Sequence, residues 1–313
     1  MLPILYAFPL FIAGIILLIK GSDILVEGAS KTAFKYGIPV FIVSAIIIGF
    51  GTSSPELAVS VGAGLEHDAG ISLGNIVGSC IANILLILGI GAIIKPVKIN
   101  TCGIKKESVI VLLSSIILLL FAAFGLLDTY HFISGGVFLL LFIGSLYVFI
   151  RSAQQQKQKL DIIGTEKIQK YILFIILGII AVIVGAWFLI ESTISIAVML
   201  GIPSFFIAVS IIAVGTSLPE LMVTITASRK EKSDITIGNI LGSNMFNIFL
   251  ILGLSALIIP LDTYLEIDKI VFLLIATVCV FPFFYTGRTL TRKVGVIFLI
   301  GYVIFICYSF VFL

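Results

Sequence analysis

The sequence predicts an all-α membrane protein with ten transmembrane helices arranged as two inverted repeats of five helices. The 313-residue chain is 60% hydrophobic and only 11% charged, and its mean hydropathy is +1.28, whereas a soluble domain is about one quarter charged. Residues 37–96 also align with residues 201–260 without a gap, at an offset of 164 positions, and 29 of the 60 pairs are identical. These observations indicate a polytopic membrane protein whose two halves are copies of each other.

Ten apolar runs are long enough to cross a bilayer, which takes about 20 residues of helix. The first run has no basic segment before it, so we interpret it as a membrane helix and not as a cleaved signal. The polar segment 151–170 separates the first repeat, 1–150, from the second repeat, 171–313. The ten runs are 3–19, 38–64, 71–94, 108–127, 132–150, 171–190, 202–228, 235–259, 270–286 and 294–312.

The distribution of basic residues supports this helix count and predicts the orientation. The loops after helices 1, 3, 5, 7 and 9 contain 18 of the 19 Lys and Arg residues, and the remaining loops and termini contain only Lys269. The positive-inside rule therefore predicts a protein of the cell membrane with 151–170 in the cytoplasm and both termini outside. The excess of basic over acidic residues reflects this orientation. We therefore expect the lipid bilayer as a partner and no nucleic acid.

The odd number of helices in each half makes the second repeat enter the membrane from the opposite side. The two repeats are then related by a pseudo-two-fold axis in the membrane plane. Secondary transporters use this architecture, and their substrate sites lie at the repeat interface near the middle of the bilayer.

Each repeat contains one polar motif within apolar sequence. Residues 51–56 (GTSSPE) and 74–83 (GNIVGSCIAN) recur as 215–220 (GTSLPE) and 238–247 (GNILGSNMFN). A single charged residue at the centre of a bilayer costs about 2.5–3.5 kcal/mol on insertion scales, so a repeated glutamate at this depth indicates function.

The proline in the first motif is expected to break helix 2. Pro55 lacks an N–H and its ring clashes with the carbonyl of Gly51, so the carbonyls of residues 49–51 are expected to be incompletely paired. Irregular backbone at this depth is tolerated where it is buried in protein or lines a cavity. Pro219 predicts the same break in helix 7.

The spacing of the polar residues directs their oxygens to common helix faces. Thr52 and Glu56 are four residues apart, as are Ser79 and Asn83, and the second repeat has the same spacing. Packing the repeats together would bring two glutamates, two asparagines and several hydroxyls into one centre. Oxygen ligands without sulfur or imidazole suit hard cations such as Na⁺, Ca²⁺ and Mg²⁺. The four cysteines show no metal-ligand spacing, and no cofactor is predicted.

The paired GTSxPE and GNxxGSxxxN motifs, in inverted repeats of five helices, resemble the two α-repeats of the sodium/calcium exchanger family, of prokaryotic type, within the Ca²⁺:cation antiporters. The resemblance implies a transporter and not an enzyme, with helices 2, 3, 7 and 8 as the ion-binding core and the long first and sixth helices sliding across it. It also implies Na⁺ and Ca²⁺ as transported ions and a functional monomer.

The resemblance also implies a ligand set. Glu56 and Glu220 match the calcium-binding glutamates, and Thr52 and Thr216 match the threonines whose carbonyls join them. The positions that match sodium ligands are Gly49, Ser53, Ser79, Asn83, Ala213, Ser217, Ser243 and Asn247. Some relatives, including potassium-dependent exchangers, have Asp at the position of Asn247, so Asn here favours a potassium-independent exchanger.

Three other functions are compatible with parts of the pattern. An antiporter of the same fold could couple Ca²⁺, or another divalent cation, to H⁺. An intramembrane enzyme could use the two carboxyl groups as an acid dyad, although the sequence has no HExxH pattern. A cation channel would show ion flux without a counter-ion.

Overall fold

The computed structural model of the chain describes residues 4–100, 104–155, 168–199 and 215–311, and these residues form a bundle of helices. Within these ranges the extended pairing is limited to one isolated bridge, between Val97 and Leu290. The helices, numbered in chain order, are α1 (Ile4–Tyr36), α2 (Val40–Thr52 followed by Ser54–Leu65), α3 (Ala69–Ile94), α4 (Lys105–Ala123), α5 (His131–Gln155), α6 (Ile168–Met199), α7 (Leu218–Arg229), α8 (Ser233–Ile258), α9 (Ile267–Thr286) and α10 (Arg292–Val311).

The apolar runs predicted from the sequence correspond to these helices. Among the described residues, 8 helices are long and apolar enough to cross a membrane, or 9 when the two segments of α2 are taken as one span. Of the predicted run 202–228, residues 202–214 lie outside the described residues. The predicted break in α2 is confirmed, because its two segments are bent by 44° relative to each other.

Helix α1 is much longer than predicted, so the predicted end at residue 19 is wrong. The helix continues to Tyr36 because the segment after Lys20 is amphipathic. Its residues at helical spacing, such as Leu25, Ala29 and Ala33, are fully buried, while Lys31 on the other side is exposed. Its equivalent α6 also extends beyond the predicted range 171–190, so the described residues include two helices of more than thirty residues.

The two long helices pack backbone to backbone through glycines. A Cβ atom added to Gly14 would lie 2.9 Å from the carbonyl oxygen of Gly185, and one added to Gly28 would lie 2.9 Å from the carbonyl oxygen of Tyr171. Small residues permit this close approach between membrane helices. Residue numbers rise along α1 as they fall along α6, so the two helices are antiparallel, as inverted repeats require of equivalent elements.

Wide helical turns interrupt the helices of the core. Hydrogen bonds between residues five apart occur over Ser44–Ile48 in α2, Ala82–Ile87 in α3 and Phe246–Ile251 in α8. Such turns are rare in proteins and are frequent at functional sites. The turns in α3 and α8 occupy equivalent positions of the two repeats, and Asn83 and Asn247 lie within them. The sequence pattern gave no signal for them.

Candidate ion-binding site

The break in α2 places a glutamate at the start of a helical segment inside the bundle. Ser53 has φ −80° and ψ 7°, which ends the first segment, and Pro55 lies in the first turn of the second. A missing N–H costs no hydrogen bond at that position. Glu56 follows in the same turn, at the positive end of the segment. Ser217 and Glu220 repeat this arrangement at the start of α7.

The expectation that the break frees the carbonyl of Gly49 is wrong. This oxygen accepts a hydrogen bond from the N–H of Ser53 at 3.1 Å. The hydroxyl oxygens of Thr52 and Ser243 also lie 3.4 Å from it, and the single hydrogen of each has a closer acceptor, Ile48 for Thr52 and Glu220 for Ser243. This main-chain bond is kept because the helical path changes only at Ser53, whose own N–H still bonds to Gly49. The carbonyl oxygen of Gly49 therefore lies close to hydroxyls of both α2 and α8.

Each glutamate accepts a hydrogen bond from a serine of the other repeat. The hydroxyl of Ser53 donates to Oε1 of Glu220 at 3.1 Å, and the hydroxyl of Ser217 donates to Oε1 of Glu56 at 3.3 Å. Ser243 also donates to Oε1 of Glu220, at 3.3 Å. Both carboxyl groups are at most 1% exposed. Each glutamate is therefore held partly by the opposite repeat, and the two lie in one buried centre.

Two asparagines support the backbone around the glutamates. Asn75 donates to the carbonyl oxygen of Glu56 at 3.2 Å, and Asn239 donates to the carbonyl oxygen of Glu220 at the same distance. Their amide oxygens accept hydrogen bonds across the repeats, from Thr216 at 3.4 Å to Asn75 and from Thr52 at 3.3 Å to Asn239. The hydroxyl of Thr52 also donates to the carbonyl of Ile48 at 3.0 Å. These hydroxyls are occupied by protein partners.

Several oxygens in the centre have no hydrogen-bond partner in the part of the chain that the structure describes. They are Oε2 of Glu56, Oε2 of Glu220, and the amide oxygens of Asn83 and Asn247. All four side chains are at most 1% exposed. A buried polar atom without a partner costs about 1–3 kcal/mol, and more when it is charged. Cations bound in the centre would satisfy these oxygens.

The chemistry of the donors points to hard cations. In the described ranges, no group of three or more His, Cys, Asp or Glu residues is placed to hold a metal ion. The centre instead combines two carboxyl groups with amide and hydroxyl oxygens. Such oxygen donors are the preferred ligands of Na⁺ and Ca²⁺. The serines of the two repeats also approach each other, with 3.5 Å between the hydroxyl oxygens of Ser217 and Ser79.

The structure brings nearly all the ligand candidates from the sequence into this centre. Ala213 lies outside the described residues. The sequence analysis did not select Asn244, which contacts Asn83, because it differs from its equivalent in the first repeat. The candidates that hydrogen bonds or burial place in the centre are Glu56, Glu220, Thr52, Thr216, Gly49, Ser53, Ser79, Asn83, Ser217, Ser243 and Asn247.

Comparison with known proteins gives consistent matches over almost the whole chain. The family model described as "Sodium/calcium exchanger protein" matches residues 6–151 and 170–311. The chain is 33% identical to the sodium/calcium exchanger MaX1 of Methanosarcina acetivorans, over 97% of this chain and 98% of that protein. It is 34% identical to the inner membrane protein YrbG of Escherichia coli, over 82% of this chain and 81% of that protein.

Solved structures match equally well. A structure of the sodium-calcium exchanger NCX_Mj, soaked with Na⁺ and Sr²⁺, superposes with a TM-score of 0.87 at 32% identity. The match covers 98% of this chain and 99% of that one.

Proposed function

Because the chain belongs to the sodium/calcium exchanger family, we propose that it is a secondary antiporter that exchanges Na⁺ for Ca²⁺ across the membrane by alternating access. One observation supports this most strongly. Glu56 and Glu220 come from inverted segments, and each uses one carboxyl oxygen for a serine of the other repeat. Each leaves its second oxygen without a partner among the described residues. Two carboxylates match the charge of one divalent ion.

The proposed ligands follow from this geometry and from the family. Ca²⁺ is bound by the carboxyl groups of Glu56 and Glu220 and by the backbone carbonyls of Thr52 and Thr216. The occupied hydroxyl of Thr52 supports a role for its carbonyl. The proposed Na⁺ ligands are the side chains of Ser53, Ser79, Asn83, Ser217, Ser243 and Asn247, and the carbonyls of Gly49 and Ala213.

The proposed mechanism couples the two ions through shared ligands. Ser53 and Ser217 are proposed Na⁺ ligands, and they donate to the carboxyl groups proposed to bind Ca²⁺. Filling the Na⁺ positions changes the hydrogen bonds of both glutamates, so the two kinds of ion compete for one centre. Burial of the pair makes an empty centre costly, because two carboxylates close together in a low dielectric repel each other. This cost favours translocation of a loaded centre over an empty one.

Several finer features belong to the same proposal. The chain forms two inverted repeats, 1–150 and 171–313, joined by a cytoplasmic linker, 151–170. Both termini are extracellular, and the protein resides in the cell membrane as a functional monomer. Exchange is independent of K⁺, since the position of Asn247 carries an amide and not a carboxylate.

The test is uptake of Ca²⁺ into proteoliposomes preloaded with Na⁺ and diluted into buffer free of Na⁺ and K⁺. We expect uptake that disappears when Na⁺ is equal on both sides. Glu56→Gln should reduce uptake to that of protein-free vesicles, because the neutral amide cannot balance the charge of Ca²⁺. Glu66→Gln is the matched control, because Glu66 is exposed just beyond the end of the same helix and should behave as wild type.

Three results would contradict the proposal. Uptake driven by a pH gradient and indifferent to Na⁺ would indicate H⁺/Ca²⁺ exchange. Uptake without any counter-ion requirement would indicate a channel. Wild-type uptake by the Glu56→Gln protein would remove the glutamate from the transport mechanism.

A further inference from the structure

The two repeats differ in the residue that lies next to each of the equivalent asparagines, Asn83 and Asn247. Residue 80 is Cys in the first repeat, and its equivalent in the second repeat, 164 positions later, is Asn244. Both side chains are at most 1% exposed. Each lies across the repeat interface from one of the equivalent asparagines, so this difference changes the surroundings of two proposed Na⁺ ligands that are otherwise alike.

At one end of the centre, Asn244 holds Asn83. The amide nitrogen of Asn83 donates to the amide oxygen of Asn244 at 3.1 Å. A carboxamide is planar, so fixing its nitrogen also fixes its oxygen. Oδ1 of Asn83 is then left without a partner among the described residues. A cation in the centre stabilises the same orientation, because it attracts the amide oxygen and repels the amide nitrogen.

At the other end, Asn247 has no comparable support. Its carboxamide lies beside the thiol of Cys80, and a thiol is only a weak donor and a weak acceptor. Apart from this weak contact with the Cys80 thiol, neither Oδ1 nor Nδ2 of Asn247 has a hydrogen-bond partner in the part of the chain that the structure describes. Both asparagines lie in wide helical turns at equivalent positions, so the backbone does not explain the difference.

We propose that Asn244 is a positioning residue, which orients the amide oxygen of Asn83 toward Na⁺, and that Cys80 leaves Asn247 without an equivalent partner. This inference rests on the proposed function. A ligand that is already oriented loses less conformational entropy when the ion binds. The Na⁺ position next to Asn83 therefore binds more tightly than the one next to Asn247, in a centre whose other ligands are nearly symmetric.

The test exchanges the two residues. Asn244→Cys should raise the Na⁺ concentration that half-saturates exchange by about fivefold, the factor that corresponds to one hydrogen bond of ordinary net strength. Cys80→Asn should lower it by a similar factor, because it gives Asn247 a partner. The double variant Cys80→Asn with Asn244→Cys moves the partner to the other repeat and should return within about twofold of wild type. The half-saturating Ca²⁺ concentration, measured without Na⁺ on the Ca²⁺ side, should stay within about twofold in all three.

The outcomes separate this inference from its alternatives. An unchanged Na⁺ dependence in Asn244→Cys, or in Cys80→Asn if the first variant does not fold, would overturn it. A double variant with the summed defects of two packing changes would assign both residues a purely structural role, and would also overturn it. Failure of the wild-type protein to exchange Ca²⁺ for Na⁺ would instead refute the proposed function, and this inference with it.

Discussion

Gly242 lies where the backbones of α8 and α2 are in close contact, and we expect Gly242→Ala to damage both stability and transport. A Cβ atom at this position would overlap the carbonyl oxygen of Ala45 and would lie 2.8 Å from the carbonyl carbon and the Cα of that residue. All of these are backbone atoms, so no side-chain rotation can make room. The hydroxyl of the next residue, Ser243, donates to Glu220, and its oxygen lies 3.4 Å from the carbonyl oxygen of Gly49. Moving α8 away from α2 therefore lengthens hydrogen bonds inside the ion centre.

The size of the effect follows from two opposing contributions. Extra atoms in a packed core typically cost about 1–3 kcal/mol, and a backbone contact belongs at the upper end of that range. Replacing Gly with Ala within a helix gains about 1 kcal/mol. The net cost is about 2 kcal/mol. The entropy of unfolding is about 2.1 cal/mol/K per residue, so each kcal/mol shifts Tm by roughly 1.5 °C in a chain of 313 residues, and we expect a decrease in Tm of about 3 °C.

The assay is thermal unfolding of purified protein in detergent, together with Ca²⁺ uptake. Gly144→Ala in α5 is the matched control, because this glycine is exposed and an added Cβ would meet nothing within 4 Å among the described residues. The control should keep wild-type uptake and the same or a slightly higher Tm. If Gly242→Ala were as stable and as active as Gly144→Ala, α8 and α2 would not be in close backbone contact.

Two further predictions concern hydrogen bonds and an ion pair. Ser53→Ala and Ser217→Ala each remove a hydroxyl that donates to a carboxyl group, and such a bond contributes about 1.5–3 kcal/mol. Each hydroxyl is also a proposed Na⁺ ligand, so each variant should raise the half-saturating Na⁺ concentration by about tenfold or more, and a large effect from one alone would contradict the pseudo-symmetric centre. Lys95 lies 2.7 Å from Glu231 at the surface and lowers the pKa of Glu231 below its ordinary value of 4.5. The pair stabilises the fold fully above pH 4.5 and loses its contribution as the pH falls through the lowered pKa, so the small Tm deficit of Glu231→Gln at neutral pH should vanish in acid.

The ion centre could be predicted closely from the sequence because it is duplicated. An isolated glutamate in an apolar helix has many explanations, whereas Glu56 and Glu220 with the same flanking Thr, Ser and Pro have few. Inversion of the repeats then requires equivalent residues to face each other across the interface. The crossed contacts of Ser53 with Glu220 and of Ser217 with Glu56 follow this relation.

Other features depend on choices that the sequence pattern does not record. In the wide turn Ala82–Ile87 each N–H donates to the carbonyl five residues earlier and not to the one four residues earlier. A run of apolar side chains is compatible with both patterns, so the sequence does not distinguish them. The apolar run of α1 ended too early, at residue 19, because the segment after Lys20 is too polar for a hydropathy criterion, although one face of it is apolar and buried. Asn244 was missed because the repeat comparison selected identical residues, and its role arises from its difference from Cys80.

The antiparallel contact of α1 and α6 has an electrical consequence. A helix carries the equivalent of about half a positive charge at its N-terminus and half a negative charge at its C-terminus. Because opposite ends of the two helices lie at the same membrane surface, their dipoles largely cancel. A joint displacement of this pair would carry little backbone charge through the transmembrane voltage, in which each elementary charge is worth about 2.3 kcal/mol per 100 mV. The backbone of this helix pair therefore adds little to the voltage dependence of exchange.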